Sequence, residues 1–248
     1  MGQEPRDIWC NCGSGKKYEN CCGSVESLRW NEQAFGRVQG NLLSPELAHF
    51  VSEQPSCQFD GKNIPPGILI LKLDSEYALK KIASKIISIE HTKEALVTVD
   101  GTGKKAISNR VTDIVEMGEM EQPVIELVRR AYAKEVEPFF NCKLRSLETP
   151  QVLRYTRGSC YHPHADADVM DRETLKWKKS RDRDYSLLIY LDEDYVGGEL
   201  IFPNFDFKLR PQADMLVAFP SDFRYLHGAM PVLSGVRHAI VSWCAIKR

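Results

Sequence analysis

Apolar positions change their period near residue 150. Before it, stripes at helical spacing dominate. Ser44-Pro45-Glu46 starts a helix, with Ser44 as N-cap and Pro45 in the first turn. Gly61 through Gly67, with Pro65-Pro66, reads as a loop, and Ile68–Leu73 as a strand. Asp74 caps a helix whose Ala78, Ile82, Ile86 and Ile89 lie on one stripe. Residues 95–99 read as a strand and Asp100–Gly103 as a turn. Pro123 opens a long amphipathic helix carrying Val124, Leu127, Val128, Ala131 and Val136. Past residue 150 the chain breaks into short strands punctuated by Gly and Pro: Val152–Tyr155, Tyr185–Leu191, Glu199–Phe202, Met215–Phe219 and Arg237–Ala245. Short strands at that spacing predict a sandwich or jelly roll. The expected fold class is α+β, with a jelly-roll core over about 150–248 and supporting N-terminal helices.

Length and charge narrow the function. A chain of 248 residues holds one large domain plus a small appendage. Its 33 Lys+Arg nearly cancel 34 Asp+Glu, so no nucleic-acid partner is expected. No apolar run reaches membrane-spanning length, and the first residues lack a signal-peptide core. The expectation is a cytoplasmic protein with reduced thiols and no membrane association.

Cys10, Cys12, Cys21 and Cys22 crowd the N-terminus. Four thiolates so close can wrap one tetrahedral Zn(II), and Gly13 and Gly15 let the chain turn around it. So small a segment has no core of its own, so the metal would supply its folding energy. Two disulfides or idle thiols are the alternatives. The run Cys-x-Cys-Gly-Ser-Gly-Lys-Lys-Tyr-x-x-Cys-Cys-Gly resembles the SEC-C zinc motif. That resemblance implies a structural zinc module over 1–24 that engages a protein partner, joined by a linker over 25–43 to a domain spanning 44–248.

The candidate chemistry sits in the last third. His164 and Asp166 are two apart, so they fall on the same face of an extended strand. His227 follows in a different strand region, and Arg237 after it. Two histidines and a carboxylate form the three-sided ligand set of non-heme Fe(II) oxygenases, which leaves metal positions open. His162 competes with His164, having the same parity, and His238 competes with His227. Arg237 shares a strand face with Ala239, Val241 and Trp243. A guanidinium on such a face is expensive unless paired, and a ligand carboxylate gripped by two N–H groups would pair it. A distant Asp or Glu is the alternative partner.

The segment Arg154–Asp166 resembles the Tyr-x-x-Gly-x-x-Tyr-x-x-His-x-Asp signature of prolyl 4-hydroxylases, and Gly197–Pro203 their Gly-Gly-x-x-x-Phe-Pro segment. The resemblance spans roughly residues 90–248. It implies a double-stranded β-helix that binds Fe(II) through His164, Asp166 and His227. It also implies that Arg237 and Tyr155 bind the cosubstrate 2-oxoglutarate, with L-ascorbate as a further cofactor. The implied reaction hydroxylates a protein or peptide side chain, foremost peptidyl proline, releasing succinate and CO2. Arg110, in a segment similar to a mobile substrate loop, is a candidate substrate contact together with Tyr161 and Trp243. The basic run 167–184, with Lys176, Lys178, Lys179, Arg181 and Arg183, is a second candidate rim or simply a solvated loop.

Two positions depart from the family pattern. Ile189 stands where hypoxia-sensor-like relatives have a tyrosine, and Asp214 where glycine is frequent. Competing readings are an oxygenase acting on another residue, a small molecule or nucleic acid, and a SEC-C interaction protein with a non-catalytic jelly roll. Nucleic-acid demethylases of this chemistry carry a second arginine where this chain has Trp243.

Overall fold

The structure, a computed structural model, describes residues 49–50, 52–95, 97–98, 104–105, 110–171, 174 and 176–248. The cysteine cluster, the 25–43 linker and the helix start at Ser44 lie outside the described residues. In chain order the main elements are β1 (Leu69–Lys72), α1 (Leu79–Ile87), β2 (Thr92–Glu94), β3 (Arg110–Val111), β4 (Asp113–Val115) and α2 (Glu121–Ala131). There follow β5 (Leu144–Leu147), β6 (Gln151–Tyr155), β7 (Cys160–His164), β8 (Asp168–Asp171), β9 (Lys176–Lys179) and β10 (Tyr185–Tyr190). The last are β11 (Leu200–Phe202), β12 (Phe207–Leu209), β13 (Met215–Pro220), β14 (His227–Ala229) and β15 (Arg237–Ile246).

Two antiparallel sheets carry the site. The larger runs β1-β13-β10-β15-β6-β4-β2, with β5 beside β15. The smaller runs β12-β11-β14-β7-β3. The strands after residue 150 stand close to the expected bounds. They do not make the sheets alone: β1, β2 and β4 extend the larger sheet and β3 the smaller.

Strict alternation sorts each central strand onto two sides. Leu187 and Ile189 of β10, Leu216 and Ala218 of β13, and Ile240 and Cys244 of β15 pack with Val124, Leu127 and Val128 of α2. The opposite parity, Tyr190, Met215, Val217 and Ala239, packs with Leu200 and Phe202 of the smaller sheet. Each fully buried side chain of this size contributes about 1.5–3 kcal/mol. The helical run continues past α2 through a wider π turn at Tyr132–Val136 to Glu137–Phe139. There the buried Tyr132 hydroxyl donates to the Ser242 carbonyl of β15 at 3.2 Å, tying the helix to the sheet.

One expectation needs correction. Asp74 caps a 3-10 turn, Ser75–Tyr77, not the α-helix. Ala78 then takes φ +50°, so α1 starts only at Leu79 and buries Leu79, Ala83 and Ile86 while Ala78 is exposed. Asp214 adopts φ +66°, a left-handed conformation that glycine favours and aspartate tolerates. The departure from glycine therefore keeps the turn.

Candidate metal centre and its cavity

The site lies between the sheets, where β7 and β14 run side by side with His164 opposite His227. One donor atom from each of His164, Asp166 and His227 can be chosen so that all lie within 4.8 Å of one another. Asp166 Oδ1 stands 3.6 Å from His164 Nε2, and Asp166 Oδ2 stands 3.4 Å from His227 Nε2. The predicted trio therefore converges.

It converges by a different route from simple alternation. β7 ends at His164, and Asp166 sits beyond it in a bend. The Ser221 carbonyl holds that bend, accepting from the backbone N–H of Asp166 at 3.1 Å and of Ala167 at 2.8 Å. Within β7 the register against β14 slips between Tyr161 and His164. Such a bulge re-aims side chains: the Tyr161 ring stacks on His164 at 3.6 Å although the two residues have opposite parity. His162 shares the parity of His164, yet it is not in the trio. Gly228 makes the bulge feasible, since a Cβ there would stand 2.8 Å from the Tyr161 carbonyl oxygen.

The imidazoles are oriented from behind. His164 Nδ1 faces the His162 carbonyl at 2.8 Å, and His227 Nδ1 faces the Tyr225 carbonyl at 3.1 Å. A carbonyl only accepts, so each Nδ1 carries a proton and each ring turns its Nε2 toward Asp166. Burial pushes the His227 pKa down to about 4, which keeps that ring neutral. Burial works against the Asp166 carboxylate as well. The Ser186 hydroxyl, donating at 2.6 Å, supports the charged form against it. Ser186 Oγ also stands 2.7 Å from Ser221 Oγ. Imidazoles oriented through Nδ1 around a supported carboxylate suit a divalent first-row metal.

A cavity of about 460 Å³ joins this trio to Arg237. Arg237 is 2% exposed. Its guanidinium lies 3.9 Å from the centre of the Tyr155 ring, and its Nη1 donates to the Gly198 carbonyl at 2.5 Å. Its Nε has no hydrogen-bond partner, and no Asp or Glu pairs with it among the described residues. The salt-bridge alternative is thus not realised there, and an anionic ligand fits this gap. Arg237, Ala239, Val241 and Trp243 all line the cavity, as their shared face predicts. His238 points away: its Nδ1 stands 2.5 Å from Asp192 Oδ2.

Tyr161 and Trp243 also line the cavity. The side chain of Arg110 lies outside the described residues, and its backbone pairs with Tyr161. Sequence reasoning missed three participants. Ser186 is a polar residue of an apolar strand, and its inward parity was a usable signal. Tyr190 shares that parity and lies 5.7 Å from the Arg237 guanidinium, while Ile189 packs toward the helices. Arg183 was grouped with a basic run. It grips Glu148 through two bonds of 2.6 Å, stacks on Trp243 at 3.8 Å and donates to the Asp166 carbonyl at 3.1 Å. Lys176, Lys178 and Lys179 of that run lie in β9, which pairs with β8; Lys178 pairs with Asp171, and Lys179 reaches Asp184 just beyond the strand.

Residues 150–245 match the family model of the 2OG-Fe(II) oxygenase superfamily. This stretch is a 2OG-Fe(II) oxygenase domain, a class that uses Fe(II) and 2-oxoglutarate, and its homologues include prolyl hydroxylases. Prolyl 3-hydroxylase 2 of Homo sapiens is 35% identical over 97 residues, 35% of this chain. The match spans only 14% of the human protein. A putative prolyl 4-hydroxylase of Acanthamoeba polyphaga mimivirus is 27% identical over 155 residues, 58% of this chain and 61% of the viral one. The solved prolyl hydroxylase of Trichoplax adhaerens, in complex with a peptide fragment of the hypoxia inducible factor oxygen degradation domain, superposes with a TM-score of 0.53 at 17% identity. It covers 89% of this chain and 93% of its own, which speaks for the shared sheet architecture. No helix among the described residues is long and apolar enough to cross a membrane.

Proposed function

We propose that the protein is an Fe(II)- and 2-oxoglutarate-dependent dioxygenase that hydroxylates a protein side chain, foremost peptidyl proline, and releases succinate and CO2. The observation that carries this reading is the pairing, in one cavity, of the His164, Asp166 and His227 donors with a buried, unpaired Arg237.

His164, Asp166 and His227 would hold the metal. When bound, the metal and cosubstrate supply oxidation of a C–H bond to C–OH by dioxygen, coupled to decarboxylation of 2-oxoglutarate. The chain does the rest. Arg237 would grip the distal carboxylate of 2-oxoglutarate, and the Tyr155 ring lies against that guanidinium. Tyr190 takes the place left open by Ile189. Leu153, Leu188 and Val241 wall the space between, keeping water from the reacting centre. Tyr161 and Trp243 would meet the substrate.

The domain division is part of the proposal: a zinc module over 1–24, a linker over 25–43 and the oxygenase over 44–248. Cys10, Cys12, Cys21 and Cys22 would bind one structural zinc, on the strength of their spacing, and the module would recruit the protein target. Deleting 1–24 should then slow turnover of an intact protein target and spare a short peptide.

The test of the main reading is anaerobic titration with Fe(II) and 2-oxoglutarate. A metal-to-ligand charge-transfer band should appear and should be lost in His227→Ala. Air and a proline-containing peptide should then give succinate and a peptide heavier by one oxygen. A wild-type protein with no band and no succinate would overturn it.

A further inference from the structure

The mouth of the cavity carries a charge that the site as described does not use. Apart from Arg237, which the proposed cosubstrate would pair, the other charged side chains lining the cavity are engaged: Glu148 with Arg183, Asp168 with the Phe223 backbone N–H at 2.9 Å, and the trio with itself. Arg181 also lines the cavity, is exposed, and makes no ion pair or side-chain hydrogen bond among the described residues. Its backbone is nonetheless fixed. The Ala167 carbonyl accepts from Arg181 N–H at 3.0 Å, from Ser180 N–H at 2.8 Å and from Ser180 Oγ at 3.0 Å. Ala167 directly follows Asp166, so this pin holds the root of Arg181 one residue from the metal trio. Across the hairpin Val169 lines the same mouth and is 49% exposed.

A free cation on a pinned backbone, beside an exposed aliphatic and opening into the reaction cavity, selects its visitor by charge. We infer that Arg181 is a specificity residue that reads a carboxylate in the substrate polypeptide, on the flank of the residue that enters the cavity, while Val169 packs against the aliphatic part of that flank. The occupant is an acidic peptide segment. This inference rests on the oxygenase reading for its meaning, but the contact it describes can be measured by binding alone.

The experiment uses three labelled proline-containing peptides that differ only in carrying Glu, Gln or Lys around the proline. Binding to the full chain is followed by fluorescence anisotropy under nitrogen, with succinate formation measured separately in air. The Glu peptide should bind wild type about fivefold more tightly than the Gln peptide, near the ceiling for one exposed pair, and the Lys peptide more weakly still. The preference should shrink as salt is raised. Arg181→Lys should keep the order, Arg181→Gln should level it, and Arg181→Glu should reverse it, with circular dichroism unchanged. Equal affinity of wild type for all three peptides, or an unchanged order in Arg181→Glu, would overturn the assignment. Charge-ordered binding without succinate would uphold Arg181 and sink the oxygenase reading. Succinate without charge order would do the opposite.

Discussion

The Ser186 hydroxyl donates to Asp166 Oδ2 at 2.6 Å, from near the start of a strand whose other inward residues are Leu188 and Tyr190. A carboxylate that must stay charged while buried needs such a donor. Ser186→Ala should leave the fold intact and weaken Fe(II) binding about 10- to 100-fold, the usual cost of losing a partner behind a ligand. Anaerobic metal titration checks this. Unchanged affinity would mean that the Ser221 carbonyl, which receives the Asp166 N–H, holds the ligand by itself.

Arg237 tests the cosubstrate pocket. Its guanidinium is spread over the Tyr155 ring and bonded to Gly198, a placement that uses its planar shape. Arg237→Lys keeps the charge and loses the fork. The KM for 2-oxoglutarate should rise at least about tenfold, with metal affinity nearly unchanged. Arg237→Ala should cost more, because removing one partner of a buried charge contact costs roughly 2–5 kcal/mol. Isothermal titration with 2-oxoglutarate on metal-loaded protein under nitrogen separates the two effects.

Strand positions were legible because alternation is a local rule. Arg237, Ala239, Val241 and Trp243 line one cavity as their spacing demands. Where the chain departs from regular geometry, spacing misled. Asp166 reaches the metal position from a bend, and Tyr161 joins His164 across a bulge. The α1 start moved because Ala78 breaks the helix in a left-handed turn, which no apolar stripe announces. Arg183 read as one more charge in a basic run. Its roles depend on Glu148 and Trp243, brought near only by the folded sheet.

The buried His227 gives the metal-free protein a pH signature. Its pKa lies at about 4 in the folded chain against about 6.5 when unfolded. Between those values the unfolded chain takes up a proton that the folded chain refuses. Stability is therefore full above about pH 6.5 and falls as pH drops toward 4, by about 3 kcal/mol in all. Urea unfolding in chelator from pH 7.5 to 4 should show this loss, and His227→Gln should flatten it. A wild-type curve with no slope in that window would show that the ring is not desolvated as described.

Tyr132 separates stability from chemistry. Its hydroxyl is buried and donates to Ser242, on the side of the large sheet away from the cavity. Tyr132→Phe removes the donor and leaves the Ser242 carbonyl short of one partner, at a cost of about 1–3 kcal/mol. Thermal unfolding should shift down accordingly, while Fe(II) affinity and the KM for 2-oxoglutarate stay within about twofold.

Gly228 joins the fold to the metal centre most directly. A Cβ at this position would stand 2.8 Å from the Tyr161 carbonyl oxygen, 3.0 Å from Pro163 N and 3.2 Å from the His162 carbonyl carbon. All three are backbone atoms of the bulge, so none can swing aside as a side-chain tip could. Gly228→Ala must push β7 away from β14, and with it His164 away from His227. Overpacking of this kind costs about 1–3 kcal/mol. The metal site should suffer out of proportion: Fe(II) affinity should fall at least about tenfold while the chain remains folded by circular dichroism. If the melting temperature falls and metal affinity does not, the bulge serves packing alone, and the convergence of the trio does not depend on that close approach.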